Sequence, residues 1–180
     1  MTESNPLSPM KARITEIQDM TDIEKLITLR FQDSKDAQEF SYMPGQFVKL
    51  GVMGVGEAPI SICTSQTDEL GLELCIRNAG RVTNALHQKK VGNTIWVRGP
   101  YGNGFPMEEL NGKDLLLVAG GLGIAPIRGV LQYVLHHREN FGEVSFLYGV
   151  RCYDLMLFKD EILEYFRNGD KVGVKLYLSY

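Results

Sequence analysis

Gly120, Gly121 and Gly123 follow the apolar run Leu115-Leu116-Leu117-Val118-Ala119 and precede Ile124-Ala125-Pro126. A buried strand that empties through a glycine turn into a helix suits a diphosphate. Glycine leaves no Cβ between main chain and ligand, and a helix starting near Ile124 aims unpaired N–H groups and its positive dipole end at an anion. Taken alone, Gly121-x-Gly123-x-x-Pro126 fits equally an α/β unit that only changes direction. Pro126 stands where a dinucleotide fingerprint carries its third glycine, which points to a variant family.

Three further sets lie upstream. In Glu57-Ala58-Pro59-Ile60-Ser61-Ile62 an apolar Ile60 is followed by the Ser61 hydroxyl. A flavin ring asks for both, a flat apolar wall on one face and a hydrogen-bond partner near N5. In Arg77-Asn78-Ala79-Gly80-Arg81-Val82-Thr83 a glycine turn opens a short helix. The N–H groups of Val82 and Thr83, the Thr83 hydroxyl and the Arg81 cation suit a second diphosphate, although an ordinary capped helix start reads equally well. The stretch Gly99-Pro100-Tyr101-Gly102-Asn103-Gly104-Phe105 is too rich in glycine for a strand and too aromatic for a plain linker; it is a ligand loop or a hinge.

Other reactive side chains read as structural. Cys63, Cys75 and Cys152 are odd in number, far apart and without C-x-x-C spacing, so they are core residues and no metal site is expected. His87, His136 and His137 fall on helices, the last two at a helix end where an imidazolium suits the dipole. Trp96 is packing, and Asp160, Glu161 and Glu164 form a solvated helix face. Tyr148 packs in a sheet with its hydroxyl in reach of a ligand, and no Ser/His/Asp set suggests hydrolysis.

The elements that position these sets divide the chain in two. Strand-like runs at 12–20, 23–31, 46–52, 59–64, 71–77 and 94–98, interrupted by one helix at 82–90, predict a closed barrel or sandwich. Beyond Asn111-Gly112 the rhythm becomes strand 114–119, helix 124–138, strand 143–149, helix 154–167 and strand 172–178. That alternation predicts a parallel sheet with right-handed crossovers. The expected organisation is a polar tail at 1–11, a β-domain at 12–105 and an α/β domain at 113–180. A three-stranded parallel sheet leaves an exposed edge, so the α/β domain reads as incomplete and the chain as a fragment.

Composition narrows the partners. With 180 residues and 44% hydrophobic content the chain can bury a core, and a net charge of -3 with mixed signs argues against nucleic acid. No apolar stretch approaches the ~20 residues that span a bilayer. The start of the chain lacks the apolar segment of a signal peptide, so a cytoplasmic address is expected.

The ordered motifs resemble the ferredoxin–NADP reductase-like flavoproteins: Pro44-Gly45-Gln46-Phe47, Ala58-Pro59-Ile60-Ser61, Gly80-x-Val82-Thr83, Gly99-Pro100-x-Gly102, Gly120-Gly121-x-Gly123-x-x-Pro126 and Tyr148-Gly149-x-Arg151. Within that family the chain looks most like the small flavin subunits of multisubunit enzymes: those of the sulfhydrogenases (their gamma subunit), of anaerobic sulfite reductase, and of dihydroorotate dehydrogenase (its electron-transfer subunit). The resemblance implies an antiparallel Greek-key β-barrel binding FAD, followed by a truncated NAD(P)-binding α/β domain. It implies electron transfer between NAD(P)H and an iron–sulfur protein or catalytic partner subunit.

Carried over by position, Ser61 approaches flavin N5 as the catalytic hydroxyl, with Ala58, Pro59, Ile60 and Ile62 framing the ring. Gly80, Arg81, Val82 and Thr83 hold the FAD diphosphate; Gly120, Gly121, Gly123, Ile124, Ala125 and Pro126 receive the nicotinamide dinucleotide, with Gly149 and Arg151 on its ribose side. The chain departs from the family in three respects. Ala58 and Ile60 replace the arginine and stacking tyrosine of Arg-x-Tyr-Ser, so Arg81 or Arg77 must supply any cation for the diphosphate. Ser179-Tyr180 replaces the Ser-Arg of NADP-dependent relatives, which favours NADH. A [2Fe–2S] cluster is expected only beyond residue 180. The competing reading is a non-catalytic docking module of a redox complex that has lost tight flavin binding.

Overall fold

The computed structural model describes residues 8–66, 71–167 and 174–179. Residues 1–7 of the expected tail, 172–173 of the expected last strand and Tyr180 lie outside them.

Six antiparallel strands make the first sheet: β1 (Met10–Asp19), β2 (Glu24–Phe31), β3 (Phe47–Val52), β4 (Gly56–Ser61), β5 (Leu72–Arg77) and β6 (Thr94–Tyr101). They lie in the order β4-β3-β6-β1-β2-β5. The ends of that order touch through a single bridge between Ile62 and Leu74, so what is seen is an antiparallel sheet whose edges meet at one point, with no full closing ladder. β1 shows how sequence sets register. Ala12 and Ile14 face inward, a bulge at Thr15 shifts the phase, and Ile17 rather than Glu16 turns to the core.

β2 and β5 are buried on both faces. Ile27, Leu29, Leu72, Leu74 and Ile76 pack in the core of the β-domain, while Leu26 and Cys75 join the core of the α/β part. Their nearly unbroken apolar runs are therefore the signature of strands clamped between two layers. Short α1 (Ser34–Glu39), capped by Asp33, has no counterpart among the sequence expectations because it buries nothing and has no apolar stripe. α2 (Arg81–His87) lies against β3, β4 and β5.

The parallel sheet holds β7 (Leu115–Gly120), β8 (Val144–Gly149) and β9 (Val174–Ser179) in sequential order. α3 (Ile124–His136) packs on β7 and α4 (Lys159–Arg167) on β9. The opposite face exposes Leu116, Val118, Leu147 and Tyr177. Element boundaries differ from expectation where turns intervene. A 3-10 turn at Tyr153–Leu155 delays α4 to Lys159, and β6 continues through Gly99, Pro100 and Tyr101, residues whose composition suggests a loop or hinge. β4 begins at Gly56 and ends at Ser61, three residues earlier at each end than expected, because Glu57 and Gly56 already pair with Gly51 and Val52.

Candidate functional site

The carboxyl ends of the parallel strands come level at Gly120, Gly149 and Ser179, which are register partners across β7, β8 and β9. Open α/β sheets bind ligands at that edge. Here the edge floors a cleft of about 480 Å³ lined by Gly120, Gly121, Leu122, Gly149, Val150 and Arg151 on one side. Ile23, Glu24 and Arg77 of the β-domain form the facing wall.

The glycines of this edge are informative for what does not surround them. A Cβ built on Gly120 or Gly123 meets nothing within 4 Å, and both have ordinary negative φ, -131° and -61°. Neither backbone strain nor internal packing requires glycine there, so the space fits a group that is not part of the chain. Gly121 differs, since its φ of 50° lies in the left-handed region. Tyr148 fixes this turn from below. Its buried hydroxyl donates to the Gly121 carbonyl at 3.2 Å and accepts from Leu157 N–H at 3.3 Å, and burial pushes the phenol up to about 12. Of the two roles that the sequence leaves open to Tyr148, it takes packing, and its hydroxyl is spent on the turn. Ile124, Ala125 and Pro126 form the first turn of α3, with Ile124 and Ala125 buried and thus offering main chain only.

In the β-domain, Ser61 ends β4 opposite Phe47, which itself pairs with Tyr101; the Phe47 and Tyr101 rings lie 5.7 Å apart. The half-buried Ser61 hydroxyl makes no hydrogen bond among the described residues. Ile60 and Ile62 are buried in the β-domain core, so Ile60 contributes its side chain to packing. Ala58 is half-buried and Pro59 exposed.

Gly80 caps α2 with extended backbone and nothing within 4 Å of an added Cβ. The Thr83 hydroxyl accepts the N–H groups of Ala79 and Gly80, each at 2.9 Å, and donates to the Gly80 carbonyl at 3.0 Å. It is thus committed to the cap, and the first-turn N–H groups of Arg81, Val82 and Thr83 are what α2 has to offer an anion. Arg81 is exposed, beside Gly56 of β4.

The structure separates the two cations considered for the FAD diphosphate. Arg81 stays at the α2 turn, whereas Arg77 lines the cleft, where its Nε donates to Glu24 Oε1 at 2.6 Å. Glu24 is only 3% exposed and also accepts the Thr21 hydroxyl. Arg77 thus lines the same cleft as Arg151 of the other domain, a juxtaposition that no local pattern announces because β2 and β5 must first pair.

Several residues expected to be structural are so. Cys63 and Cys75 are buried, though Cys152 is exposed. His87 bonds the Ile76 carbonyl, and His136 and His137 bond the Gln132 and Tyr133 carbonyls of their own helix. Trp96 packs under Lys11, whose ammonium lies 5.2 Å from its ring centroid. Glu161 departs from the expected solvated face, since it accepts from Arg128 at 2.7 Å and from the Tyr165 hydroxyl at 2.9 Å. Among the described residues no helix is long and apolar enough to cross a membrane, and no His/Cys/Asp/Glu group is arranged to hold a metal.

Residues 12–105 match the oxidoreductase FAD-binding domain and residues 117–178 the oxidoreductase NAD-binding domain. The chain is 42% identical to the sulfhydrogenase 2 gamma subunit of Pyrococcus furiosus over 98% of its own length and 60% of that protein. It is 33% identical to a probable dihydroorotate dehydrogenase B (NAD(+)) electron-transfer subunit of the same organism, over 72% of this chain and 47% of that one. The chain thus spans about 60% or less of the length of these relatives. Ferredoxin–NADP+ reductase from Plasmodium falciparum shares the fold, with a TM-score of 0.78 at 20% identity over 96% of this chain and 70% of that one. The chain belongs to the oxidoreductases that carry an FAD-binding domain followed by an NAD-binding domain.

Proposed function

We propose that this chain is the nucleotide-binding part of a flavin-dependent electron-transfer subunit, passing electrons between NAD(P)H and an iron–sulfur protein or catalytic partner of a multisubunit enzyme. The observation that carries this is the cleft between the domains, floored by glycines at 120, 121 and 149 and walled by Arg77 and Arg151. The sulfhydrogenase and dihydroorotate dehydrogenase names of the relatives support the multisubunit setting. A nicotinamide-linked carrier works where that nucleotide pool is, in the cytoplasm.

Bound FAD would supply hydride acceptance from a nicotinamide and one-electron release. The chain's part is placement. The Ser61 hydroxyl, free of internal partners among the described residues, serves N5, and the main chain at 58–62 frames the ring. The amides of Gly80, Arg81, Val82 and Thr83 hold the FAD diphosphate, with Arg81 as the adjacent cation. Gly120, Gly121 and Gly123 with the first turn of α3 at Ile124, Ala125 and Pro126 receive the dinucleotide; Gly149 and Arg151 flank its ribose, and Arg77 meets its phosphates from the opposite wall. NADH is favoured because the sequence has Tyr180 where NADP-dependent relatives carry the arginine of Ser-Arg, so that position offers no guanidinium for a 2′-phosphate. A preference for NADPH would instead assign Arg151 to that phosphate.

The test is direct. The purified chain reconstituted with FAD is yellow, and its flavin absorbance bleaches under anaerobic NADH. A second reading, the docking module, is favoured by one observation, that Ile60 packs inward and offers no stacking ring. It expects a colourless protein that retains no FAD.

A further inference from the structure

One face of α3 crosses the domain boundary and grips the segment that leaves the flavin strand. Arg128, 7% exposed, donates from Nη1 to the Cys63 carbonyl at 2.9 Å and to Glu73 Oε2 at 2.5 Å. Its Nε donates to Glu161 Oε2 at 2.7 Å, and the guanidinium lies 4.6 Å from the Phe158 ring centroid. One turn further on, Gln132 Oε1 accepts the Ser65 N–H at 2.9 Å, both residues being buried. Between them sits Gly129, where an added Cβ would stand 2.9 Å from the Thr64 carbonyl oxygen. Three successive residues, 63 to 65, are therefore each met by positions i, i+1 and i+4 of a single helix.

The placement of these contacts gives them meaning. β4 ends at Ser61, two residues before Cys63, and α3 starts at Ile124, one helical turn before Arg128. A direct packed path from the strand that ends at Ser61 to the helix that follows the glycine turn therefore runs through this contact. A buried guanidinium with two carboxylates is a poor way to gain stability, since desolvation offsets most of the attraction. What it adds over apolar packing is direction, because the planar fork fixes the helix relative to Cys63, Glu73 and Glu161 together.

We propose that Arg128, Gly129 and Gln132 form a positioning latch that sets the separation between Ser61 and the glycine turn at 120–123, with Arg128 as the positioning residue for hydride transfer. The inference rests on the functional reading above, in which the hydride leaves nicotinamide C4 with its electron pair and arrives at flavin N5. It concerns geometry, not affinity.

Gly129→Ala provides the discriminating test. Alanine is the better residue inside a helix, but its methyl drives a wedge against Thr64 backbone that cannot swing aside. The FAD-loaded full chain carrying Gly129→Ala is expected to bind FAD and NADH within about twofold of wild type, yet to be reduced about tenfold or more slowly, with a weakened nicotinamide–flavin charge-transfer band. Arg128→Lys, which keeps the charge and loses the fork, is expected to move rate and band the same way. In the cofactor-free chain it also speeds amide hydrogen exchange at Ser65. Variants reduced at the wild-type rate with an intact band overturn the latch, whatever their melting temperatures, and so does unchanged exchange at Ser65. A wild-type chain that takes FAD but is never reduced by NADH overturns the functional reading itself, and the latch's role with it.

Discussion

Gly120 and Gly80 have neither a left-handed φ nor a neighbour that a methyl would strike, which is the mark of glycine kept for something outside the chain. Gly120→Ala is therefore expected to change stability by less than about 0.5 kcal/mol. The same methyl should raise the NADH dissociation constant about tenfold, because it intrudes on a close backbone approach. Thermal melts paired with NADH titration check both halves, and a variant that loses stability without losing affinity would refute the assignment. Tyr148 makes the opposite kind of prediction. Tyr148→Phe strips a buried donor from Gly121 and a buried acceptor from Leu157, costing about 1–3 kcal/mol, visible as a lowered melting temperature. Ser61→Ala should leave melting unchanged and slow flavin reduction about tenfold in stopped flow, the loss of one hydrogen bond in the transition state.

At the scale of elements, the pairing of β2 with β5 sets a β-domain cation at the cleft between the domains. It brings Glu24 opposite Arg77, and the buried carboxylate holds the guanidinium at the cleft wall. Removing Arg77 alone would strand Glu24, so the informative variant is the double change Glu24→Gln with Arg77→Gln, which keeps a polar pair and deletes both charges. NADH binding measured in low salt should weaken about tenfold. The wild-type advantage should shrink as salt screens the exposed side of Arg77. A double variant with wild-type affinity at low salt would place the phosphates elsewhere.

For the molecule as a whole, the shared layer between domains sets a limit on alkaline stability. Burial, with the Glu24 carboxylate adding to it, pushes the Cys75 thiol from its ordinary 9.0 up to about 12, and burial lifts Tyr148 to about 12; the Cys63 thiol is raised as well. Each folded pKa is above its unfolded value, so the neutral forms stabilise the fold fully below about pH 9. That contribution falls as pH climbs from about 9 towards 12, by up to about 1.4 kcal/mol per pH unit for each group. Melting temperature followed from pH 8 to 11 should be flat and then drop. Cys75→Ala should lessen the slope above pH 9.

The sequence by itself determined the two halves, the alternation that makes one antiparallel and the other parallel, and the glycine turns at 80 and 120–123, because periodicity and bare backbone are local properties. It located the ends of β4 and β6 less well, since Gly56 joins its strand through the hairpin pairing with Val52 and Tyr101 through pairing with the distant Phe47. It also left Arg81 and Arg77 both open as the cation for the FAD diphosphate and placed Glu161 on a solvent-facing surface. Only the tertiary structure decided that Arg77 turns into the cleft, that Ile60 packs inward, and that Arg128 ties α3 to the segment after β4. Those outcomes depend on which of two faces a strand buries and on contacts between residues more than fifty positions apart, as with Arg128 and Glu73. No local pattern of residue types encodes a choice of that kind.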